Sequence, residues 1–142
     1  MKKKQITSFT LDASVLAELA GRSGNGQSRS GRINADLARY YESLKRARSA
    51  LRSRFNAGEL SAIADVCNGT WYEPHAIPLL YASVEDALGD GLAQKWSIDG
   101  ATLVAKLREI SYTEAAALVD AAERYWQAVG SGEQPDPASL LD

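Results

Sequence analysis

The order of apolar and polar positions predicts a chain built from helices, with one short strand near its N-terminus. The run KQITSFTL at residues 4–11 is rich in Thr, Ile and Phe, which favour extended backbone. Strand side chains alternate between two faces, which puts Ser8 and Thr10 opposite Phe9 and Leu11. Ile6 falls on the polar face and breaks the alternation. Because a lone strand leaves its edges unpaired, this strand is expected to pair with another.

A short helix and then a long helix are predicted next. Asp12 is a candidate N-cap, and apolar residues follow it at helical spacing. The glycine-rich run at 21–26 ends this helix. From Ser28 or Ser30, either of which can be the N-cap, an apolar period of 3.6 residues continues to Phe55. This period predicts a helix of about seven turns.

The remaining chain predicts three or four further helices. Asn56–Glu59 and Ser111–Glu114 have the spacing of capping boxes, and Asp99 is another candidate N-cap. The segment 70–78 is expected to be irregular, and 89–100 is expected to be a connector between helices. The polar, proline-containing tail is expected to be flexible. We therefore divide the chain into a head (1–56), an acidic helical domain (57–130) and a flexible tail (131–142).

Charge is distributed unevenly between the two halves of the chain. The whole chain of 142 residues has a net charge of only −2. Residues 1–56, however, hold 12 basic and 4 acidic side chains, a balance of +8, whereas residues 57–142 hold 4 basic and 14 acidic ones, a balance of −10. This segregation favours a first half that faces nucleic acid, the alternative being solvated helix faces that differ in charge.

The succession of strand, short helix, glycine turn and longer helix over residues 3–45 resembles the ribbon–helix–helix (Arc/MetJ-type) family of DNA-binding proteins. The matching pieces are KQITSFTL, LDASVLAELA and the GQSRS run at 26–30. The resemblance implies a mainly α fold, with an N-terminal ribbon–helix–helix that pairs its strand across a homodimer. A C-terminal helical bundle follows this head.

The resemblance also implies which residues contact DNA. Base contacts from the ribbon in the major groove are implied for three residues: Ile6, Ser8 and Thr10. Phosphate contacts, which a helix N-terminus favours, are implied for Lys3, Lys4, Ser28, Arg29, Ser30 and Arg32. Other roles stay open: the strand residues as plain surface, Ser28 as an N-cap, and the arginines at 32, 39 and 46 as a solvated face paired with acidic groups.

Together these features predict a sequence-specific DNA-binding protein, a transcriptional repressor that binds short inverted repeats as a homodimer. Heads of this kind also occur in plasmid partition proteins, conjugative relaxosome accessory proteins and antitoxins, so these roles stay open. The acidic half is expected to form tetramers or to bind a protein partner. The rival from another class is a protein–protein adaptor that binds no DNA.

The sequence offers little chemistry for catalysis. One cysteine, Cys67, and one histidine, His75, cannot form an internal disulfide or a Cys/His zinc site. Neither lies in a recognisable triad or phosphate-binding motif, so we expect no enzyme, no metal and no cofactor. A small-ligand pocket is an alternative role, weaker than core packing, for the aromatic residues Trp71, Tyr72, Trp96 and Trp126.

The apolar runs are too short for a membrane span, which needs about 18 residues. The basic start MKKK is not followed by the apolar core of a signal peptide. We therefore expect a cytoplasmic protein without membrane association.

Overall fold

The computed structural model describes residues 10–22, 28–67 and 76–142, and all the regular secondary structure in these ranges is helical. The helices are α1 (Ala13–Arg22), α2 (Arg29–Leu51), α3 (Ala57–Val66), α4 (Ala76–Gly89), α5 (Leu92–Trp96), α6 (Gly100–Glu109) and α7 (Tyr112–Gly130). A single 3₁₀ turn, Pro137–Ser139, follows them.

The prediction of a ribbon–helix–helix head is wrong. That fold requires a strand, and the described ranges contain none. Residues 4–9 of the predicted strand lie outside the described residues, and its last two, Thr10 and Leu11, lead into α1 without regular structure. The prediction used residue types that favour strands, but this preference reflects packing on a half-buried sheet and does not establish a sheet. The mainly α class and the helical bundle are consistent with the structure.

The chain divides into two compact units, Met1–Tyr41 and Glu42–Asp142. The division falls inside α2, so the last part of this helix belongs to the second unit. The sequence analysis predicted a domain boundary after Asn56 instead. In the described part of the first unit, Leu19 is the one buried hydrophobic residue.

The second unit contains an extended hydrophobic core. Helix α4 packs on α6 and α7, and α3 packs on α4, α5 and α7. Four side chains from four of its helices are completely buried: Leu51, Ile63, Leu103 and Leu118.

Helix starts in the second unit follow the predicted caps. Asn56 Oδ1 accepts a hydrogen bond from the Glu59 backbone N–H at 2.9 Å, and Asp99 caps α6 through Ala101 N–H. The predicted connector 89–100 contains a short helix, α5. Gly91 precedes α5 with φ 97°, a left-handed conformation that suits glycine.

The tail packs against the second unit, where the sequence predicted flexibility. The 3₁₀ turn contacts α3. Leu140 and Leu141 are buried, and Arg52 Nε donates a hydrogen bond to the Leu141 carbonyl at 2.9 Å. The two adjacent leucines therefore hold the tail in place although the residues around them are polar and include prolines. Their burial removes apolar surface from water and so stabilises the packed tail.

Candidate nucleic-acid interface

Helix α2 carries most of the positive charge of the described first half. It holds two carboxylates, Asp36 and Glu42. Its six cations are Arg29, Arg32, Arg39, Lys45, Arg46 and Arg48. Because the helix crosses the division between the units, the first three cations belong to the first unit and the last three to the second.

The start of α2 brings together three of the residues that the sequence assigned to phosphate. Ser28 Oγ accepts a hydrogen bond from the Gly31 backbone N–H at 3.1 Å, so Ser28 is the N-cap of this helix. Arg29 and Ser30 are exposed in the first turn. The N-cap role of Ser28 satisfies one backbone donor that an anion would otherwise use.

Arg32, a fourth predicted phosphate contact, is held by its own helix. Its Nε donates to Asp36 Oδ2 at 3.1 Å, and its Nη2 lies 3.1 Å from Asp36 Oδ1. Both side chains are partly buried, so this forked pair fixes the guanidinium. A phosphate would have to compete with Asp36 for Arg32.

Three arginines recur at seven-residue spacing along α2. Seven residues fall about 20° short of two turns, so Arg32, Arg39 and Arg46 lie along one side of the helix, about 10.5 Å apart in rise. Arg46 is 80% exposed, and its Nε lies 4.0 Å from Glu42 Oε1, at the limit of an ion pair. Lys45 beside it is also exposed. Lys45 and Arg46 are therefore accessible cations within the second unit.

Two further cations of residues 1–56 bind partners inside the second unit. Arg54 Nη1 lies 2.8 Å from Glu114 Oε2. Arg52 binds the Leu141 carbonyl and lies 3.6 Å from Asp142 Oδ1. The sequence analysis included both arginines in the positive half that it expected to face nucleic acid. Their partners, however, come from the acidic half.

Two of the three predicted base contacts, Ile6 and Ser8, lie outside the described residues. The predicted phosphate contacts Lys3 and Lys4 also lie outside them. Thr10 is described and is exposed just before α1.

The aromatic residues of the second unit hold helices together. Trp126 Nε1 donates to the Ala64 carbonyl at 2.8 Å, and Trp96 Nε1 donates to Asp65 Oδ2 at 3.1 Å. Lys95 Nζ also reaches Asp65 Oδ2 at 2.6 Å. Burial raises the pKa of Asp65, but the hydrogen bonds from Lys95 and Trp96 outweigh this and lower it. The other two residues of the predicted aromatic pocket, at 71 and 72, lie outside the described residues.

The remaining candidates for chemistry are placed as follows. Cys67 is buried, and desolvation raises the pKa of its thiol to about 12, which suppresses the reactive thiolate. His75 lies outside the described residues. Within the described ranges, no three His, Cys, Asp or Glu side chains are grouped so as to hold a metal ion.

Sequence reasoning missed an ion pair made by a buried carboxylate. Glu59 is buried, and its Oε1 lies 2.7 Å from Lys106 Nζ, while Oε2 has no hydrogen-bond partner. The local pattern assigned Glu59 to a capping box, and the partner 47 residues away left no signal in it.

No family model, curated protein or solved structure matches the chain. In the described ranges, each helix is too short or too polar to cross a membrane.

Proposed function

We propose that this protein binds double-stranded DNA through the exposed cations of α2. The observation that carries the proposal is the concentration of positive charge on one helix, six cations against two carboxylates, in a chain whose net charge is −2. Duplex DNA presents one negative charge per about 1.7 Å of axis, and cations that replace its counterions supply sequence-independent affinity.

The local contacts of α2 decide which cations are suited to DNA. Lys45 and Arg46 are exposed, and the Arg46 contact with Glu42 is long. Arg32, Arg52 and Arg54 have closer acidic or carbonyl partners. The residues after position 56 have a balance of −10, which disfavours DNA contact there. We therefore assign Lys45 and Arg46 as the leading phosphate contacts, together with Arg29 at the helix start.

This proposal concerns affinity for the DNA backbone. Phosphate contacts position a protein but do not read sequence. The proposal does not include a ribbon in the major groove, because the described residues contain no strand. The repressor role, the inverted-repeat target, and the partition and relaxosome alternatives stay predictions.

The test is fluorescence anisotropy of a labelled DNA duplex, titrated with the full chain at several salt concentrations. The double variant Lys45→Gln/Arg46→Gln should weaken binding, and the slope of log K against log salt should fall in magnitude by about 1.8 for each bound copy of the chain, because each lost phosphate contact removes about 0.9. The matched control is Arg108→Gln/Arg124→Gln, which removes two exposed cations from α6 and α7.

The control should leave the slope unchanged. Equal weakening by both double variants would show that net charge, and not α2, determines affinity. Absence of salt-dependent binding by the unmodified chain would exclude the proposal altogether.

The adaptor is the second candidate function, favoured by one observation. Arg54 pairs at 2.8 Å with Glu114, so a cation of the positively charged residues 1–56 already binds an acidic group of its own chain. An adaptor would use the remaining cations on an acidic protein surface. It would show no DNA binding even at low salt, where electrostatic affinity is strongest.

A further inference from the structure

The first unit contains an open apolar groove between α1 and α2. Its volume is about 450 Å³. It is lined by Leu11, Val15, Glu18, Leu19, Ile33, Asp36 and Leu37. Five of these seven side chains are aliphatic, and Arg32 already neutralises Asp36 at the rim. The floor of the groove therefore suits an apolar surface.

One apolar stripe runs along α2 and is covered over only part of its length. Residues spaced three and four apart share a helix face, which aligns Ile33, Leu37 and Tyr40 with Leu44, Ala47 and Leu51. Leu44, Ala47 and Leu51 are buried in the second unit, whereas Leu37 and Tyr40 are about half exposed. Tyr41 widens the uncovered part, and its ring centroid lies 5.6 Å from that of Tyr40.

Exposed apolar side chains are concentrated in the first unit. Among the described residues, six large hydrophobic side chains are exposed, and one of them, Tyr112, belongs to the second unit. The other five are between 42% and 52% exposed: Val15, Leu16, Leu37, Tyr40 and Tyr41. Scattered exposed apolar residues are ordinary, but a concentration of this kind marks an interaction surface.

The size of the first unit indicates what covers this surface. A unit of 41 residues is near the limit of about 40 below which disulfides, metals or oligomerisation are usually needed for stability. Residues 1–41 contain neither cysteine nor histidine, so a disulfide or a Cys/His zinc site cannot stabilise them. Association of two copies supplies the missing core without requiring another molecule.

The exposed area agrees with the needs of a small dimer. A buried tyrosine side chain covers 150–250 Å², so each half-exposed tyrosine here offers about 100 Å². An aliphatic side chain offers about half as much at the same exposure. Two copies together would bury about 700 Å² of this apolar surface. Because interfaces are about 60% apolar, this corresponds to a total of about 1,200 Å², the lower end for stable complexes.

We propose that the α1–α2 groove and the uncovered stripe of α2 form a homodimer interface, each covered by the same surface of a second copy. A two-fold interface uses one patch on both copies, so every side chain in it counts twice. Dimerisation through this surface is measured without DNA, and a chain that does not dimerise can still bind phosphate through α2.

The test is sedimentation equilibrium of the full chain over a range of concentrations. The unmodified chain should give twice its 15.3 kDa mass. Leu37→Glu places a charge in the groove of both copies and should raise the dimer dissociation constant more than about 100-fold. The matched control, Tyr112→Glu, changes the exposed hydrophobic residue of the second unit and should leave the constant unchanged.

A milder variant covers the case in which Leu37→Glu unfolds the first unit. Leu37→Ala keeps a good helix former at that position and should raise the dissociation constant about tenfold, with the helical circular dichroism unchanged. A monomeric unmodified chain would overturn the proposal and leave the groove to a different protein. A dimer that neither Leu37 variant weakens would place the interface elsewhere and would also overturn it.

Discussion

Glu59 shows how a single residue can satisfy a local pattern and still have a different role. Its backbone N–H donates a hydrogen bond to Asn56 Oδ1, as the capping-box spacing predicted. Its carboxylate, however, is directed to Lys106, whose ammonium also lies 5.9 Å from the Phe55 ring centroid. A box is encoded within four residues, whereas this ion pair depends on α3 and α6 meeting. Sequence reasoning could therefore predict the cap but not the buried charge.

Removal of Lys106 should destabilise the fold. Lys106→Met leaves the buried Glu59 carboxylate without its counter-charge, and because the Lys106 side chain is itself 32% exposed we expect a cost of about 1–3 kcal/mol. Urea unfolding, followed by circular dichroism, measures the change in the free energy of unfolding.

The double variant Glu59→Met/Lys106→Met is the control. It removes both charges together and should recover most of the loss, because apolar replacements of a buried pair are often neutral. If the double variant were as unstable as Lys106→Met, the cost would come from lost packing and not from an unpaired charge.

Caps are the features of these helices that the sequence predicted best. Ser111 Oγ accepts from Glu114 N–H at 3.1 Å, and Glu114 Oε1 accepts from Ser111 N–H at 2.9 Å, so the predicted capping box of α7 is complete. All its atoms belong to four consecutive residues, and no distant partner is needed. A strand, by contrast, exists only when another strand pairs with it, which explains why the ribbon prediction failed where the cap predictions succeeded.

The α7 cap should make stability depend on pH. The hydrogen bond from the Ser111 backbone N–H, with a further contribution from Arg54, lowers the pKa of Glu114 below its usual 4.5. A lowered pKa in the folded state contributes stability above the unfolded pKa, and that contribution is lost as pH falls through the folded value. Glu114→Gln should therefore be less stable than the unmodified chain at pH 7, with a difference that shrinks below about pH 4.5.

Thermal unfolding at pH 7 and at successively lower pH measures this difference. Ser111→Ala, which removes the serine cap but keeps the carboxylate, should cost about 1 kcal/mol at pH 7. A difference between Glu114→Gln and the unmodified chain that stayed constant down to pH 2 would exclude the ionised carboxylate as its source.

At the scale of the whole molecule, burial is divided unequally between the two units. The described core lies in Glu42–Asp142, and Leu19 is the single buried hydrophobic residue described before it. The sequence predicted the helices of both units but not this division, because the apolar period of α2 is the same on both sides of it. The sequence also could not indicate that Leu140 and Leu141 join the core, since only their tertiary contacts distinguish them from a mobile tail.

This inequality should appear in hydrogen exchange. The backbone amides of α1 can exchange after a local opening that breaks few buried contacts. Those in the buried part of α7 exchange only when the whole unit unfolds. In dilute solution, where any dimer dissociates, the free energy of opening should be lower in α1 by about 2 kcal/mol or more. Exchange followed by mass spectrometry, with peptides from both helices in one sample, provides an internal control. Equal protection of α1 and α7 would contradict the division of stability between the units.

The place where the two units divide has a practical consequence. Proteases cut chains that can be drawn out locally, which favours exposed loops. The peptide bond between Tyr41 and Glu42 lies within α2, where the backbone is helical on both sides. Limited digestion therefore finds no loop at this division, and a fragment that begins or ends there would carry a severed helix. Each half is best dissected by point substitution within the intact chain.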